Sequence, residues 1–122
     1  MIGFASVGVK DLGVAGKFYD ELLSVIGVKL MWKNDRARMY GLEKDHGTLC
    51  LILPYDEKNA SPGNGSMVAI VADSIEKVNA LHKKSLEIGA LNEGDPGERS
   101  DGFYGSYIRD LDRNKLCFYC RP

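Results

Sequence analysis

Residues 114–120, NKLCFYC, repeat the pattern of residues 47–53, GTLCLIL. Both segments place Leu-Cys before an apolar run, and Cys117 follows Cys50 by 67 positions. Each run is short and rich in side chains that favour a buried β-strand. A constant offset between similar segments is typical of a duplicated unit. The sequence therefore predicts two related modules, each ending in an apolar strand with a cysteine at its centre.

The same order of elements precedes both segments. Val14, Phe18, Leu22 and Ile26 recur every four residues, which predicts a first helix over residues 14–25. It follows a strand-like segment that contains Phe4, and Asp11 is the expected cap. A second helix is expected to begin at a capping box formed by Asp73 and Glu76, after a strand-like segment that begins near Met67. Each half thus reads as a strand, a helix, and two or three strands.

The segment boundaries follow from the turn residues. The polar, proline- and glycine-containing residues 54–65 are expected to link a module over residues 2–53 to one over residues 66–120. Residues 93–102, EGDPGERSDG, are expected to form a glycine-rich loop. With 122 residues the chain suits a single domain, and the mixture of elements predicts an α+β fold.

Composition excludes several classes of partner. Sixteen basic and 17 acidic residues leave a formal charge of −1, so nothing in the balance of charge favours a nucleic acid. No apolar window approaches the length of about 18 residues that a membrane span needs. The first residues do not resemble a signal peptide, and the three cysteines are an odd number. We therefore expect reduced thiols and a cytoplasmic protein.

Residues 7–30, 63–90 and 102–116 together resemble the vicinal oxygen chelate superfamily, which includes glyoxalases, bleomycin-resistance proteins and extradiol dioxygenases. Residues 7–30 are similar to the family's opening strand and helix, with Phe18-Tyr19 in the middle of the helix. Residues 63–90 are similar to the start of its second module. Residues 102–116 contain Asp-Leu-Asp-Arg-Asn, which resembles the family's Asp-Pro-Asp-Gly-Asn turn. The resemblance implies two βαβββ modules whose curved mixed sheets surround a cavity, and it implies a homodimer.

The resemblance also implies where a metal ion would bind, with ligands on the first, fourth, fifth and eighth strands. Those positions carry Phe4, Cys50, Met67 and Cys117 in this chain. None of the four is the imidazole or oxygen donor that the family's usual divalent ions prefer. Two interpretations stay open: an apolar cavity without a cofactor, and a soft-metal site made of Cys50, Met67 and Cys117.

Further candidates for the ligand-binding cavity come from the second module. Tyr104 and Tyr107 are expected to share one face of a strand, and that face is expected to be the cavity wall. Arg99 either pairs with a carboxylate or phosphate of the ligand or is a solvent-exposed loop residue. His46 is expected in a solvated turn, and His82 on the surface of the second helix or partly packed. Neither histidine is expected to be catalytic or to bind metal.

Two classes of function remain. The first is a metal-free protein that binds a small, partly apolar molecule, as the resemblance to drug-sequestering proteins implies. The second is a lyase or dioxygenase of the glyoxalase type that uses an atypical metal site or metal-free acid–base chemistry. The sequence assigns no catalytic residue. Because strong acids and bases are missing from the expected cavity, binding is the preferred interpretation.

Overall fold

A computed structural model describes residues 1–43 and 47–122, which include all of the second predicted module and all of the first except residues 44–46. The first module runs from strand to helix and then through three strands. Its elements are β1 (Phe4–Gly8), α1 (Leu12–Ser24), β2 (Lys29–Lys33), β3 (Ala37–Gly41) and β4 (Thr48–Ile52).

The second module repeats this order. Its elements are β5 (Val68–Val71), α2 (Ile75–Glu87), β6 (Leu91–Ser100), β7 (Phe103–Arg109) and β8 (Lys115–Cys120). Each module forms one four-stranded sheet, ordered β1-β4-β3-β2 in the first and β5-β8-β7-β6 in the second. The first and last strands of each module are parallel neighbours, and the other pairs are antiparallel. The predicted α+β fold with two βαβββ modules is confirmed.

The first helix has the predicted cap, Asp11, but it begins at Leu12, two residues before the predicted start. The side chain of Asp11 accepts a hydrogen bond of 2.9 Å from the backbone N–H of Val14, which satisfies one of the free donors of the first turn. Gly27 follows the helix with a φ of 74°, a backbone conformation that glycine adopts without strain. Within the described ranges, neither helix has the length and apolar character needed to cross a bilayer.

The second helix begins one residue later than predicted. Its cap is Ser74 rather than Asp73, because the Ser74 hydroxyl accepts a hydrogen bond of 3.1 Å from the N–H of Lys77. Ser74 also has the extended backbone that a capping residue needs. The predicted capping box at Asp73 is therefore wrong, since serine and aspartate compete for the same role and Ser74 has the required spacing.

The prediction of a glycine-rich loop over residues 93–102 is also wrong. Most of that segment belongs to β6, which pairs with β7 through three shifts in register. β6 lies at the edge of its sheet, where Pro96 does not disrupt a ladder on both sides. Glycine and proline therefore mark bulges in a long edge strand, not a loop.

One hydrophobic core serves both modules. Helices α1 and α2 pack against each other, and each also packs against its own sheet. A continuous cluster of buried residues includes Phe18 and Leu22 of α1, Val78 and Leu81 of α2, and Phe118 of β8. Because burial of each large side chain contributes about 1.5–3 kcal/mol, the shared core couples the stability of the two modules.

The turn between β7 and β8 is built around a buried carboxylate. Asp110 accepts hydrogen bonds from the backbone N–H groups of Asp112 and Asn114, at 2.8 and 2.9 Å. Its second oxygen accepts from the Asn114 amide at 3.1 Å and from the Tyr19 hydroxyl at 2.5 Å. Tyr19 belongs to the first module, so this one carboxylate shapes the turn and fastens it to α1.

Two further hydrogen bonds join the same turn to the end of β1. The Asn114 amide donates to the carbonyl of Gly8 at 2.9 Å, and the backbone N–H of Lys10 donates to Asp112 at 2.9 Å. The Asp-Leu-Asp-Arg-Asn turn thus forms a polar contact between the modules, and Lys77 of α2 adds another by donating to the carbonyl of Val25 at 3.0 Å. Burial and the neighbouring Asp110 carboxylate raise the pKa of Tyr19, which keeps its hydroxyl protonated as a donor.

We expect Asp110→Ala to lower the free energy of unfolding by about 3 kcal/mol, because it leaves buried donors without an acceptor. Tyr19→Phe removes one of these hydrogen bonds and should cost about 1 kcal/mol. Urea unfolding followed by circular dichroism measures both values. The exposed Asp101 is the control, and its change to alanine should stay within about 0.5 kcal/mol of wild type. An Asp110→Ala variant that unfolds at the wild-type urea concentration would contradict the role of this carboxylate.

Candidate functional site

Each sheet packs a helix against one of its faces, and we call the opposite side its helix-free face. In the first sheet, alternation places Val7 and Leu51 in the core. Their neighbours Ser6 and Cys50, which are paired in register, therefore point to the helix-free face. Cys50 is only 5% exposed, yet it lies outside the continuous core cluster.

The second sheet follows the same rule. Cys117 of β8 is paired in register with Ala69 of β5 and with Tyr107 of β7. These three residues share the helix-free face, whereas Phe118 points into the core. Cys117 is 1% exposed. The two cysteines that the sequence singles out therefore occupy equivalent faces of two different sheets.

The helix-free face of the first sheet is mainly apolar. Phe4 opens β1 and is 61% exposed, and Met39 is paired with Cys50 in register. Trp32, opposite Met39 on β2, is exposed as well. Aromatic and thioether groups of this kind bind apolar molecules through contact area rather than through charge.

The helix-free face of the second sheet combines aromatic rings with positive charge. The rings of Phe103 and Tyr119 stack with their centroids 5.1 Å apart, and the guanidinium of Arg121 lies 5.6 Å from the Phe103 centroid. The guanidinium of Arg99 lies 5.4 Å from the centroid of the Tyr107 ring, which is the next ring on this face of β7. Cation–π contacts of this kind order long cationic side chains at a surface.

Sequence reasoning missed Lys115 as a member of this face. Its ammonium lies 5.4 Å from the Tyr107 centroid, so two cations flank the same ring. The signal was present, because Lys115 precedes Cys117 by two residues on the same strand and must share its face. Glu93 forms ion pairs with Arg109 at 2.8 Å and with Lys115 at 3.9 Å. No periodicity in the sequence indicates that Glu93 reaches β7 and β8.

The expectation that Tyr104 shares a face with Tyr107 is wrong. The two residues are three positions apart, an odd spacing that puts their side chains on opposite sides of a strand. Tyr104 packs against the core, and its hydroxyl donates to Asn79 of α2 at 2.8 Å. Of the two tyrosines, only Tyr107 faces the candidate site.

Burial sets the protonation of both thiols. It raises the pKa of Cys50, and it raises that of Cys117 although Tyr107, Arg99 and Lys115 act in the opposite direction. Both side chains are therefore protonated thiols at neutral pH. A protonated thiol is a weak nucleophile, since nucleophilic attack requires the thiolate.

The residues present do not fit the metal ion that the family resemblance implies. Within residues 1–43 and 47–122, no three His, Cys, Asp or Glu side chains gather in a ligand-like group. Phe4 has no donor atom, Met67 offers a thioether, and the two thiols belong to separate sheets. Imidazole and carboxylate ligands, which bind the usual divalent ions, do not occupy the four expected positions.

A groove of about 1020 Å³ lies between the modules, along the edge strand β5. Of the predicted cavity residues only Met67 lines it, because Tyr104 packs against the core and the remaining five belong to the helix-free faces. Its wall is mostly apolar. On the first module it includes Leu23, Ile26, Val28, Tyr40 and Leu49, and on the second it includes residues 67–73 and Lys77.

His82 is buried, which is deeper than the expected position on the helix surface or partly packed. It is 4% exposed because it lies four residues after Val78, on the face of α2 that packs against the sheet. Within the described ranges neither ring nitrogen has a hydrogen-bond partner, and the buried hydroxyl of Ser106 has none either. Burial lowers the pKa of His82, and Arg99 adds to this effect, whereas Asp95 and Asn92 oppose it. His46 lies outside the described residues.

A family model described as Glyoxalase/Bleomycin resistance protein/Dioxygenase superfamily matches residues 2–118. The crystal structure of a glyoxalase/bleomycin resistance protein from Albidiferax ferrireducens T118 is 34% identical. It superposes with a TM-score of 0.91, covering 100% of this chain and 99% of that one. No curated protein matches the sequence.

Two more distant structures share the fold. A glyoxalase-related enzyme from Fulvimarina pelagi is 18% identical with a TM-score of 0.77, over 98% of this chain and 86% of that one. A lactoylglutathione lyase from Agrobacterium tumefaciens is 18% identical with a TM-score of 0.70, over 98% and 92%. At these identities the likeness extends to the architecture alone.

We expect the free energy of unfolding to decrease as the pH falls below 6.5, the ordinary pKa of histidine, because His82 is neutral in the folded protein. Because the pKa of His82 is lower in the folded state, the folded state binds fewer protons than the unfolded state. The contribution of the neutral His82 to stability is therefore complete above pH 6.5 and is lost as the pH falls through the folded-state pKa. Urea unfolding at a series of pH values measures this slope. His82→Gln, which does not titrate, should show a shallower slope over the same interval. Identical slopes in the two proteins would contradict the assignment.

Proposed function

The chain belongs to the Glyoxalase/Bleomycin resistance protein/Dioxygenase superfamily, and on that premise we propose that it is a metal-free member that binds a small, partly apolar molecule. The proposal rests on the side chains that the helix-free faces present. Where the resemblance implies metal ligands, these faces present Phe4 and two buried thiols, Cys50 and Cys117, and Met67 lines the groove along β5. The ligand site is therefore a contact surface without an electrophilic centre.

The composition of the two faces supports binding through apolar contact. Phe4 and Trp32 on the first sheet and Tyr107 on the second provide rigid aromatic area, which costs little conformational entropy to order on binding. Cys50 and Cys117 act as small hydrophobes between them. Ligand pockets combine such apolar walls with a few fixed polar groups.

Neither the buried histidine nor the two thiols is suited to acid–base catalysis on these faces. The buried histidine, His82, points to the core side of α2, and the pKa of each thiol is raised by burial. A general base must reach the reacting proton within hydrogen-bonding distance. We therefore prefer binding to catalysis, and a stoichiometric metal ion would revive the lyase or dioxygenase alternative. The three free thiols support our proposal that the protein is cytoplasmic.

We also propose a homodimer in which modules of two chains lie side by side. Strands β1 and β5 are at the edges of their sheets. The exposed apolar side chains along these edges include Phe4, Met67 and Val71. Open edges with apolar neighbours favour pairing with a second chain. The apolar groove along β5 gives such a partner a surface to cover.

The proposal of a metal-free protein predicts the metal content. Protein purified without chelators should contain no stoichiometric Zn, Ni, Fe, Mn or Cu by plasma mass spectrometry, and Cys117→Ser should leave this result unchanged. The substitution should change stability by about 1–2 kcal/mol, as expected of a buried polar swap. Cys120→Ser is a matched control, because Cys120 is equally buried but belongs to the core cluster. A stoichiometric metal that disappears in Cys117→Ser but not in Cys120→Ser would overturn the metal-free proposal.

The proposal of a homodimer predicts the mass of the protein in solution. Light scattering at micromolar concentration should give the mass of a dimer, and Val71→Lys should shift it towards the monomer because it places a charge on the exposed edge of β5. Val14→Lys is the matched control, since Val14 on α1 is 57% exposed and Val71 is 63% exposed. The control should remain dimeric. A wild-type monomer, or equal dissociation of both variants, would contradict an interface along β5.

A further inference from the structure

The bulged strand β6 holds the guanidinium of Arg99 in one place. One terminal nitrogen of Arg99 donates to the backbone carbonyl of Asp95, in the same strand. Gly94 and Gly97 leave room for the guanidinium: a Cβ atom at Gly94 would lie 3.3 Å from one nitrogen, and one at Gly97 would lie 3.0 Å from the other. The sequence Gly-Asp-Pro-Gly therefore forms a backbone cradle around a cation, which explains why these residues occur in a strand.

The Tyr107 ring completes the cradle. A Cβ atom at Gly94 would also lie 3.0 Å from the Tyr107 ring, so the glycine lets β6 approach the ring closely. Arg99 and Lys115 each lie 5.4 Å from the centroid of this ring. The ring attracts both cations and limits their rotamers, which leaves their remaining N–H groups available as donors.

The local charge is not balanced. Glu93 is shared between Arg109 and Lys115, so three cations and one carboxylate leave two positive charges on this part of the face. Within the described residues, no carboxylate lies within 4.0 Å of the Arg99 guanidinium, and the carboxylate of Asp95 accepts instead from the amide of Asn92. The two cations beside the Tyr107 ring therefore give this end of the face a positive potential, which attracts an anion.

The position of this cluster relates it to the proposed ligand site. Tyr107 is the register partner of Cys117, and Cys117 is the partner of Ala69 on the opposite edge. One helix-free face therefore runs from a cationic end at β6 to an apolar end at β5. A molecule lying across it would meet an anion site at one end and apolar side chains at the other.

We propose that Arg99 and Lys115, held beside Tyr107, form a site for the anionic group of the ligand. The ligand class is a small acid with an apolar body and a carboxylate, phosphate or sulfonate at one end. Arg99 supplies the planar donor pair that such groups accept, and Lys115 adds a second charge. This inference rests on the proposed small-molecule site and adds the chemical class of its ligand.

Two fluorescent probes that differ by one anion test the proposal. 8-Anilinonaphthalene-1-sulfonate carries a sulfonate, and N-phenyl-1-naphthylamine has the same rings without it. Titrations with the wild-type protein should show tighter binding of the sulfonate probe. Arg99→Met and Lys115→Met should each weaken that probe about tenfold, the loss expected for one charge-assisted hydrogen bond, and leave the neutral probe unchanged.

The controls distinguish loss of the anion site from a change in net charge and from misfolding. Lys83→Met removes an exposed cation from α2 and should leave the affinity for both probes unchanged. Thermal unfolding checks that each variant folds, and Arg99→Lys, which keeps the charge but not the planar fork, should fall between wild type and Arg99→Met.

The outcomes are distinct. If both probes bind the wild-type protein and the variants at Arg99 and Lys115 bind the sulfonate unchanged, the anion site is wrong while the apolar site stands. An equal loss in Lys83→Met would show an effect of net charge alone and would also overturn the anion site. If neither probe binds the wild-type protein, the proposed small-molecule site is itself wrong, and the anion site is wrong with it.

Discussion

The buried carboxylate of Asp110 is the polar group on which the arrangement of the modules depends. A charge without partners in this position would be strongly destabilising, and Asp110 is satisfied by two backbone N–H groups, the Asn114 amide and the Tyr19 hydroxyl. Three of these donors define the turn, and the fourth belongs to α1 of the other module. The same contacts that close the β7–β8 hairpin therefore fix it against the first module.

The position of β8 follows from that turn, and the candidate site follows from β8. Lys115 and Cys117 alternate with Leu116 and Phe118, so one side of the strand contributes to the shared core and the other to the helix-free face. A register shift of one residue in β8 would exchange these two sets. The Asp110 turn and the core packing of Phe118 oppose such a shift, which links the stability of the fold to the chemistry of the face.

The two helix-free faces differ in what they offer a ligand. The first sheet contributes Phe4 and Trp32 and little charge, whereas the second places two cations around Tyr107. Duplication thus produced modules that agree in backbone and in the position of one cysteine, but not in electrostatics. The difference arises in β6, where glycines and a proline bend an edge strand around Arg99. This asymmetry is the basis for proposing a ligand with one anionic and one apolar end.

The sequence by itself determined the duplication, the α+β class, the cap at Asp11 and the thiol positions, because periodicity and spacing are local properties of the chain. It misjudged β6 as a loop, since glycine and proline indicate a turn unless an edge strand tolerates them. It also misjudged Tyr104, although its odd spacing from Tyr107 was visible. Only the tertiary structure decided that His82 is buried, and that Arg99 and Lys115 meet at one ring. Those contacts depend on bulges and on the register between strands, which no single segment encodes.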